Sequence, residues 1–387
     1  MVGYQYSKLL LLCSAFFLLQ FSQSCQKTVR EDGTTFPFQE AVRVGPSNHH
    51  SCFSYYNTTP ESPDGSLIAY VKLLSMPQEE RYEEVNGEIW ICNSDLSNQR
   101  KVVDVSLNGV HNGARLQWLD NRSFAYQDDM IRAVTIEGKE LIAPVAGTIG
   151  HKPFQGRFLY ASVDDSTGLY TIFEYDVLNQ KISRLGDASN YTQIEELFPF
   201  DDMRLVEDRR ILHLQYSPDG TKIAFRIDIG SKDEQFKHLI SQNIDGSDIR
   251  FFGSKPMHFA WYDNASLMGH DNQINDGMPN DKSGRRWDLN GNHIETLSGM
   301  GNHLAASYDR ELFASESWYK ENPIVLRVFK KGEMLPIWQD TVSIDSRTTW
   351  TLANHVNPSF SRDNRRLYFN KYTEEGLAQA HMVVLSK

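Results

Sequence analysis

The chain has 387 residues, four cysteines and a formal net charge of −11 at pH 7. This acidic balance argues against nucleic acid as a partner, because proteins that bind a phosphate backbone present a surplus of Lys and Arg. It does not exclude an acidic substrate, since a few focused cations or a metal ion can dominate a cleft on an acidic protein. The cysteines are too few for a disulfide scaffold.

The first 24 residues predict an export signal rather than a part of the fold. Lys8 precedes the apolar run Leu9–Leu19, which is long enough for a signal peptide and short for a membrane span. Small residues then lead to Cys25, as in bacterial lipoprotein signals, so we predict that Cys25 becomes the lipidated N-terminus. Ordinary secretion and an uncleaved anchor are the alternatives. The prediction is a protein of the cell envelope, in the outer membrane or periplasm, that meets the membrane only through its lipid.

The next segment, residues 25–46, is polar and unpatterned, and we interpret it as a tether or a strand that closes the fold. Residues 47–387 are predicted to form one domain. Its first unit runs from about His49 to Val103, with strands near Ser66–Leu73 and Gly87–Asn93. Cys52 and Cys92 fall in this unit, where they either pair or remain two separate buried thiols.

A strand, a tight turn and a second strand recur along this domain. The clearest copy is Ile211–Arg226, in which Ser217-Pro-Asp-Gly220 supplies Pro at the first corner of the turn and Gly at the corner that needs a positive φ. Similar segments, each with an Asp at the turn, are Glu61–Tyr70, Gln117–Tyr126, Ala260–Met268, Ala306–Ala314 and Phe360–Phe369. The chain is therefore predicted to be a repeat protein.

The spacing of the turns predicts seven units. The Asp anchors recur roughly every 45–55 residues, the length of a four-stranded propeller blade, except for one double interval between Asp120 and Asp219. Phe154–Ser162, with Gly156-Arg157 at its turn, is the missing copy. The predicted fold class is all-β: a seven-bladed antiparallel β-propeller in a single ring, with little helix. Ala378–Leu385 is expected to pair with the N-terminal segment and close the ring.

Several histidines occupy equivalent places relative to these turns. Four of them lie five to nine residues before an Asp anchor: His111, His213, His258 and His303. In the last unit Asn357 takes this place, and His355 lies two residues earlier on the same face of the strand. If the strand before each turn lines the central channel, these side chains converge near one rim. The alternative is that each is a polar, solvent-lined position that only forms hydrogen bonds.

Convergent neutral imidazoles can bind Zn or Mn, act as a base near neutral pH, or do both in neighbouring positions. Other catalytic signatures are not found in the sequence: there is no Ser-centred nucleophile elbow, no glycine-rich phosphate loop and no Cys-x-x-Cys pair. The sequence also does not place Asp or Glu at this offset from the turns, where the paired carboxylates of a glycoside hydrolase would have to point inward.

Four stretches carry a family resemblance: Leu212–Gly220, Met257–Trp261, Gly301–His303 and Asn354–Ser361. Together they resemble the oligogalacturonate lyase-like propellers, to which the ulvan lyase propellers are also similar. His111–Trp118 resembles an early blade of the same group. The resemblance implies an exported polysaccharide lyase that cleaves a uronic-acid glycan of ulvan or pectic type by β-elimination, with a divalent metal such as Mn, Zn or Ca.

The resemblance also implies site residues. In that family a histidine at the place of His303 binds metal together with a Gln-x-x-His-x-His stretch, which reads Leu352, His355 and Asn357 here. His303, His355 and Asn357 are therefore the predicted metal ligands, whereas Leu352 offers no ligand atom. His258 occupies a place like the catalytic-base position, and His213 resembles a cleft histidine.

The chemistry of elimination adds further candidates. The proton at C5 of the uronate must be taken by a base, for which His258 or His213 is predicted, with His111 on the same rim. The carboxylate must be neutralised so that negative charge can spread into it, and Arg226 or Arg115 are the first candidates for this. Arg285 and Arg286 are further candidates for binding the substrate.

Tyr319 is predicted as an acid or a stacking group. The expected partner is an acidic polysaccharide or oligosaccharide, and the expected state is a monomer. The competing prediction is a non-catalytic propeller, resembling TolB-like modules, whose ring binds glycan or protein.

Overall fold

Regular structure in the described part of this protein is almost entirely β-strand. The computed structural model describes residues 40–75, 84–191, 208–230, 235–253, 256–270, 283–317, 321, 323–343, 355–373 and 376–385. A single turn of 3₁₀ helix, Ala188–Tyr191, is the helical element among them. None of the helical structure described is long and apolar enough to cross a membrane.

Strands of the first half of the chain form the first three blades, except for β1, which joins the last blade. They are β1 (Val42–Arg43), β2 (His50–Cys52), β3 (Leu67–Leu73), β4 (Glu84–Asn93), β5 (Arg100–Asn108), β6 (Gln117–Asp120), β7 (Ser123–Gln127), β8 (Ile131–Thr135), β9 (Thr148–Ile149), β10 (Arg157–Asp164), β11 (Leu169–Asp176) and β12 (Lys181–Asp187).

Strands of the second half form the remaining four blades. They are β13 (Asp208–Tyr216), β14 (Lys222–Gly230), β15 (Gln235–Asn243), β16 (Arg250–Gly253), β17 (Met257–Asp263), β18 (Ser266–His270), β19 (Ser283–Asp288), β20 (His293–Met300), β21 (Leu304–Ala306), β22 (Leu312–Glu316), β23 (Ile324–Lys330), β24 (Trp338–Ser343), β25 (Ser359–Phe360), β26 (Arg366–Tyr372) and β27 (Ala378–Val384).

These strands form seven antiparallel sheets arranged in a ring, which confirms the predicted β-propeller. Blades 1 and 3 to 6 each take four consecutive strands, and blade 2 takes the three strands β6, β7 and β8. Blade 7 combines both ends of the described chain in the order β1-β27-β26-β25, with Val42 opposite Met382. This pairing closes the ring by joining β1, near the start of the described chain, to the last strand, β27.

The Asp-anchored turns hold each blade and also link it to the next. In blade 4, Asp219 Oδ1 accepts hydrogen bonds from the Ser217 hydroxyl at 2.7 Å and the Thr221 backbone N–H at 3.0 Å. The Asp219 backbone N–H in turn donates to Asn264 Oδ1, in the turn of blade 5, at 3.0 Å. A short polar side chain next to the anchor therefore ties neighbouring turns together.

The third unit, which the sequence placed at Phe154–Ser162, is a two-residue hairpin turn. Phe154 and Arg157 exchange both backbone hydrogen bonds, at 2.9 and 3.0 Å, across Gln155 and Gly156. Both corner residues have positive φ, 50° and 76°, as a type I′ turn requires. The turn at Gly156 is thus confirmed.

Hydrophobic packing lies between adjacent blades. Leu159 and Ile172 of blade 3 pack against Ile211 and Phe225 of blade 4, for example. Each sheet therefore buries both faces against neighbours, as the stacking of propeller blades requires. Cys52 and Cys92 are both buried, lie in different clusters of this kind and do not form a disulfide with each other, which decides between the two alternatives for this pair.

Gly220 is the turn glycine whose replacement we expect to be most harmful. It has φ 70°, and a Cβ there would collide with the ring of Phe154. Gly65 is the matched control, because it has φ 73° in the same Ser-Pro-Asp-Gly turn, yet its Cβ would come no nearer than 3.7 Å to Glu61.

Gly65→Ala should lower the free energy of unfolding by about 1–2 kcal/mol through φ alone. Gly220→Ala should lower it by roughly 1–3 kcal/mol more, because the added methyl overpacks the site. Urea unfolding of the two variants measures the difference. Equal losses would show that Phe154 moves aside without strain.

Candidate active site

Seven histidines meet around two tyrosines at the axis of the ring. They come from the β5–β6 connection and from blades 3 to 7, and they are His111, His151, His213, His258, His270, His303 and His355. Residues of blades that are not neighbours can touch only at the axis of a propeller. The structure thus brings together all five histidines singled out from the sequence, and it adds His151 and His270.

The two tyrosines, Tyr55 and Tyr56, are at the centre of this histidine cluster. The Tyr55 ring lies 5.7 Å from that of His213 and 5.6 Å from that of His303. The Tyr56 ring stacks on His303 at 4.9 Å and meets His258 edge-on at 5.4 Å. Sequence analysis missed both tyrosines, because they belong to the connection between β2 and β3 rather than to a strand.

Asn57 anchors this connection across the channel. Its side-chain amide donates to the backbone carbonyl of Phe259, in blade 5, at 2.8 Å. Asn57 itself has φ 66°, a left-handed conformation that Asn tolerates better than most residues. The Tyr-Tyr-Asn sequence is the one signal that could have pointed to a turn here.

Backbone irregularities aim two of the histidines. His213 and His258 both have positive φ, 58° and 46°, and each lies where the register of its strand shifts against the next strand. His258 stands one residue nearer its turn than His213, and a second register shift, between Trp261 and Asp263, accounts for that difference. Left-handed non-glycine residues are uncommon and concentrate at functional sites.

His213 and His258 also differ from the other five histidines in exposure. These two are partly buried, whereas the rest are buried. In the cluster they are therefore the members that solvent reaches most easily.

Each of these two histidines is backed by a buried one. His213 Nδ1 lies 3.1 Å from His151 Nε2, and His258 Nδ1 lies 3.0 Å from His270 Nε2. Burial lowers the pKa of His151 and of His270 to about 3. Burial holds the pKa of His213 and that of His258 well below the usual range of histidine. Neighbouring charge lowers both pKa values further: Arg226 acts on His213, and His303 acts on His258. All four imidazoles are accordingly neutral at pH 7.

A candidate metal-binding group lies deeper in the cluster. His303, Glu316 and His355 are all buried, and each offers a ligand atom within 4.8 Å of the other two. His303 Nδ1 forms a hydrogen bond with one Glu316 oxygen. His303 Nε2 and the second Glu316 oxygen are buried with no hydrogen-bond partner among the residues that the structure describes. A group of two imidazoles and a carboxylate, in which these atoms of His303 and Glu316 are available as ligands, fits a divalent ion such as Mn²⁺ or Zn²⁺.

Glu316 was not assigned from the sequence. It stands across from His303 because β21 and β22 pair Leu304 with Ser315 in an antiparallel hairpin. Counting outward from the Asp309 turn would have placed the two opposite each other. Asn357, the third predicted ligand, is buried on blade 7, and its metal-binding role stays a prediction.

Two of the predicted arginines lie near the cluster. Arg226 forms a bidentate pair with Asp228, with Nε–Oδ1 at 2.6 Å and Nη2–Oδ2 at 3.0 Å. Its charge nevertheless helps to lower the pKa of His213 and His151, and Arg115 acts on the same two histidines. Arg115 has φ 46° and donates from Nη1 to the Ile149 carbonyl at 3.4 Å.

Arg285 and Arg286 lie on β19, the third strand of blade 5, rather than on a channel-lining strand. Arg286 pairs with Asp263 at 2.5 Å and with Glu295 at 3.0 Å. These contacts hold Arg286 at the β17–β18 turn, away from the described part of the histidine cluster. Arg285 donates to Ser283 Oγ at 3.3 Å.

Three positions from the sequence analysis lie outside the described residues. They are Cys25, Tyr319 and Leu352. The predicted lipidation and the predicted acid or stacking role therefore stay predictions.

The fold is similar to that of oligogalacturonate lyases. A structure of oligogalacturonate lyase in complex with manganese matches with a TM-score of 0.62 at 16% sequence identity, covering 91% of this chain and 96% of that one. The oligogalacturonate lyase of Vibrio parahaemolyticus matches with a TM-score of 0.59 at 12% identity, covering 92% and 98%.

More distant propellers also match. The β-propeller domain of the Trilobed protease from Pyrococcus furiosus gives a TM-score of 0.50 at 11% identity, covering 85% of this chain and 95% of that one. No model of a protein family and no curated protein matches the sequence. On structure, the chain has the seven-bladed β-propeller fold that the oligogalacturonate lyases have.

Proposed function

We propose that the protein is an exported polysaccharide lyase that cleaves an acidic, uronate-containing glycan by β-elimination. The observation that carries the proposal is the pairing of two partly buried, neutral histidines, His213 and His258, with the buried donor group His303, Glu316 and His355. The likeness to oligogalacturonate lyases favours a pectic oligogalacturonate as substrate, and an ulvan-type glycan is the second choice.

The reaction needs a base and a positive environment. The base removes the C5 proton, the C5–H electron pair forms the C4=C5 double bond, and the C4–O bond breaks. The leaving sugar oxygen keeps that bonding pair and takes a proton from water. A neutral histidine suits the first step, because its lone pair is available at pH 7.

Positive charge on the substrate carboxylate lowers the barrier, because negative charge spreads into it in the transition state. Arg226 and Arg115 contribute to the positive field at the cluster, although Asp228 already pairs with Arg226. A divalent cation held by His303, Glu316 and His355 would supply stronger stabilisation of the same charge.

Hydrolysis of a glycosidic bond is the less favoured chemistry. It would require two carboxyl groups flanking the bond. In the described part of the cluster, the carboxylate is Glu316, which is hydrogen-bonded to His303.

The proposal is tested with purified protein and a panel of acidic glycans: oligogalacturonate, ulvan and a uronate-free acidic glycan as control. We expect ultraviolet absorbance of the unsaturated uronate to rise with at least one uronate glycan and not with the control. Binding of the same glycans, measured by calorimetry without any rise in absorbance, would identify a non-catalytic propeller instead.

A further inference from the structure

The ring of His151 meets two defined partners. Its Nδ1 lies 3.0 Å from the backbone carbonyl oxygen of Tyr56, and its Nε2 lies 3.1 Å from Nδ1 of His213. The side chain is buried, with 2% of its surface exposed, so water does not compete for either nitrogen. Both contacts are within the normal range for hydrogen bonds.

The carbonyl sets the direction of this chain of hydrogen bonds. A backbone carbonyl can only accept, so Nδ1 of His151 must carry the hydrogen. A neutral imidazole has only one N–H, so Nε2 of His151 must then be the acceptor. Nδ1 of His213 is consequently the donor, and neutral His213 keeps its lone pair on Nε2.

Packing fixes the ring of His213 as well as its proton. Tyr55 stacks against it with an interplanar angle of 25°, and Phe259 meets it edge-on at 6.5 Å between ring centroids. The backbone at His213 is left-handed, with φ 58°. An imidazole held in this way has one nitrogen bound to His151 and one left for another partner.

The corresponding pair in blade 5 is His258 with His270. The contact between His258 and His270 joins two ring nitrogens, and either of them can donate. His258 also lies against His303, with ring centroids 4.3 Å apart, on the side of the metal-binding group. The two partly buried histidines are thus different in kind.

We propose that His151 is a positioning residue that holds His213 in the Nδ1–H tautomer, so that Nε2 of His213 is the proton acceptor of the reaction. The catalytic half of this inference rests on the proposed lyase function, whereas the tautomer stands on the hydrogen bonds alone. In the reaction, the C5 proton moves to Nε2 of His213, and the imidazolium that forms keeps its hydrogen bond to His151.

The test compares the full-length protein with His151→Gln and His151→Phe, using ¹⁵N-labelled histidine and NMR at neutral pH. The signals of His213 are assigned by their loss in His213→Asn. In the wild type we expect a protonated Nδ1 and an unprotonated Nε2 for His213. His151→Gln should preserve this state, because the new amide oxygen can accept from His213 and the amide N–H can donate to Tyr56. The phenyl ring introduced by His151→Phe can do neither, so this variant should release the tautomer.

Activity provides a second readout. His151→Phe should lower kcat by about 10–100-fold, the usual effect of losing a group that orients a functional histidine. His151→Gln should restore most of that loss. An unprotonated Nδ1 on His213 in the wild type, or an unchanged His213 spectrum in His151→Phe, would overturn the tautomer. If the wild type shows the expected tautomer but cleaves no uronate glycan, the lyase proposal fails and the positioning role survives.

Discussion

Replacing His213 by Asn is expected to lower kcat for uronate cleavage by at least about a hundredfold, the scale of a lost general base. The reason is the lone pair that the His151 contact leaves on Nε2 of His213. Asn has a donor and an acceptor of similar reach, but it cannot take a proton at neutral pH. Initial rates of absorbance at saturating substrate measure the effect, and calorimetric glycan affinity should change little.

His258→Asn is the matched comparison, because sequence analysis placed the base at His258 first. Both histidines are partly buried, left-handed and backed by a second histidine, so a purely structural loss should be similar in the two variants. A hundredfold loss confined to His258→Asn would move the base to that residue. If thermal unfolding drops together with activity, the histidine concerned is structural.

Removing Glu316 should abolish about half or more of the stabilisation by divalent cations. In the wild type, Mn²⁺ at about one hundred times its Kd should raise the free energy of unfolding by about 2.7 kcal/mol, if the ion binds only the folded state. Glu316→Gln keeps the shape of the side chain but removes the charge that faces His303, so affinity should fall about 10–100-fold. Urea unfolding with and without Mn²⁺, together with elemental analysis, provides the measurement.

Two further variants test whether the effect is specific to the His-Glu-His group. Glu295→Gln removes a carboxylate that pairs with Arg286 and Lys331, outside the cluster, and it should respond to Mn²⁺ like the wild type. His303→Ala removes the buried Nε2 and should respond least. If Mn²⁺ stabilises all variants equally, the ion binds elsewhere and the His-Glu-His group does not hold it.

Sequence by itself determined the fold, because the turns that define it are local. An Asp that accepts from the hydroxyl two residues before it and the N–H two residues after it makes the same turn wherever the pattern occurs, as at Asp219 and Asp64. Repetition of that unit at blade length leaves a ring of antiparallel blades as the way to bury both faces of every sheet. Even the weakest copy, at Gly156, was visible from its turn chemistry.

The site was only half contained in the sequence. The offset from the turns singled out His213, His258 and His303, because position along a channel-lining strand is a local property. It did not reveal His151, Glu316 or the two tyrosines.

Only the tertiary structure showed that His151 and the two tyrosines belong to the site, since they reach the axis from connections between strands. Glu316 could have been found by counting outward from the Asp309 turn. Strand alternation also fails at His213 and His258, where bulges with positive φ redirect the side chains. Which nitrogen of His213 holds the proton depends on the carbonyl of Tyr56, a group that lies far from His213 in sequence and is brought there by closure of the ring.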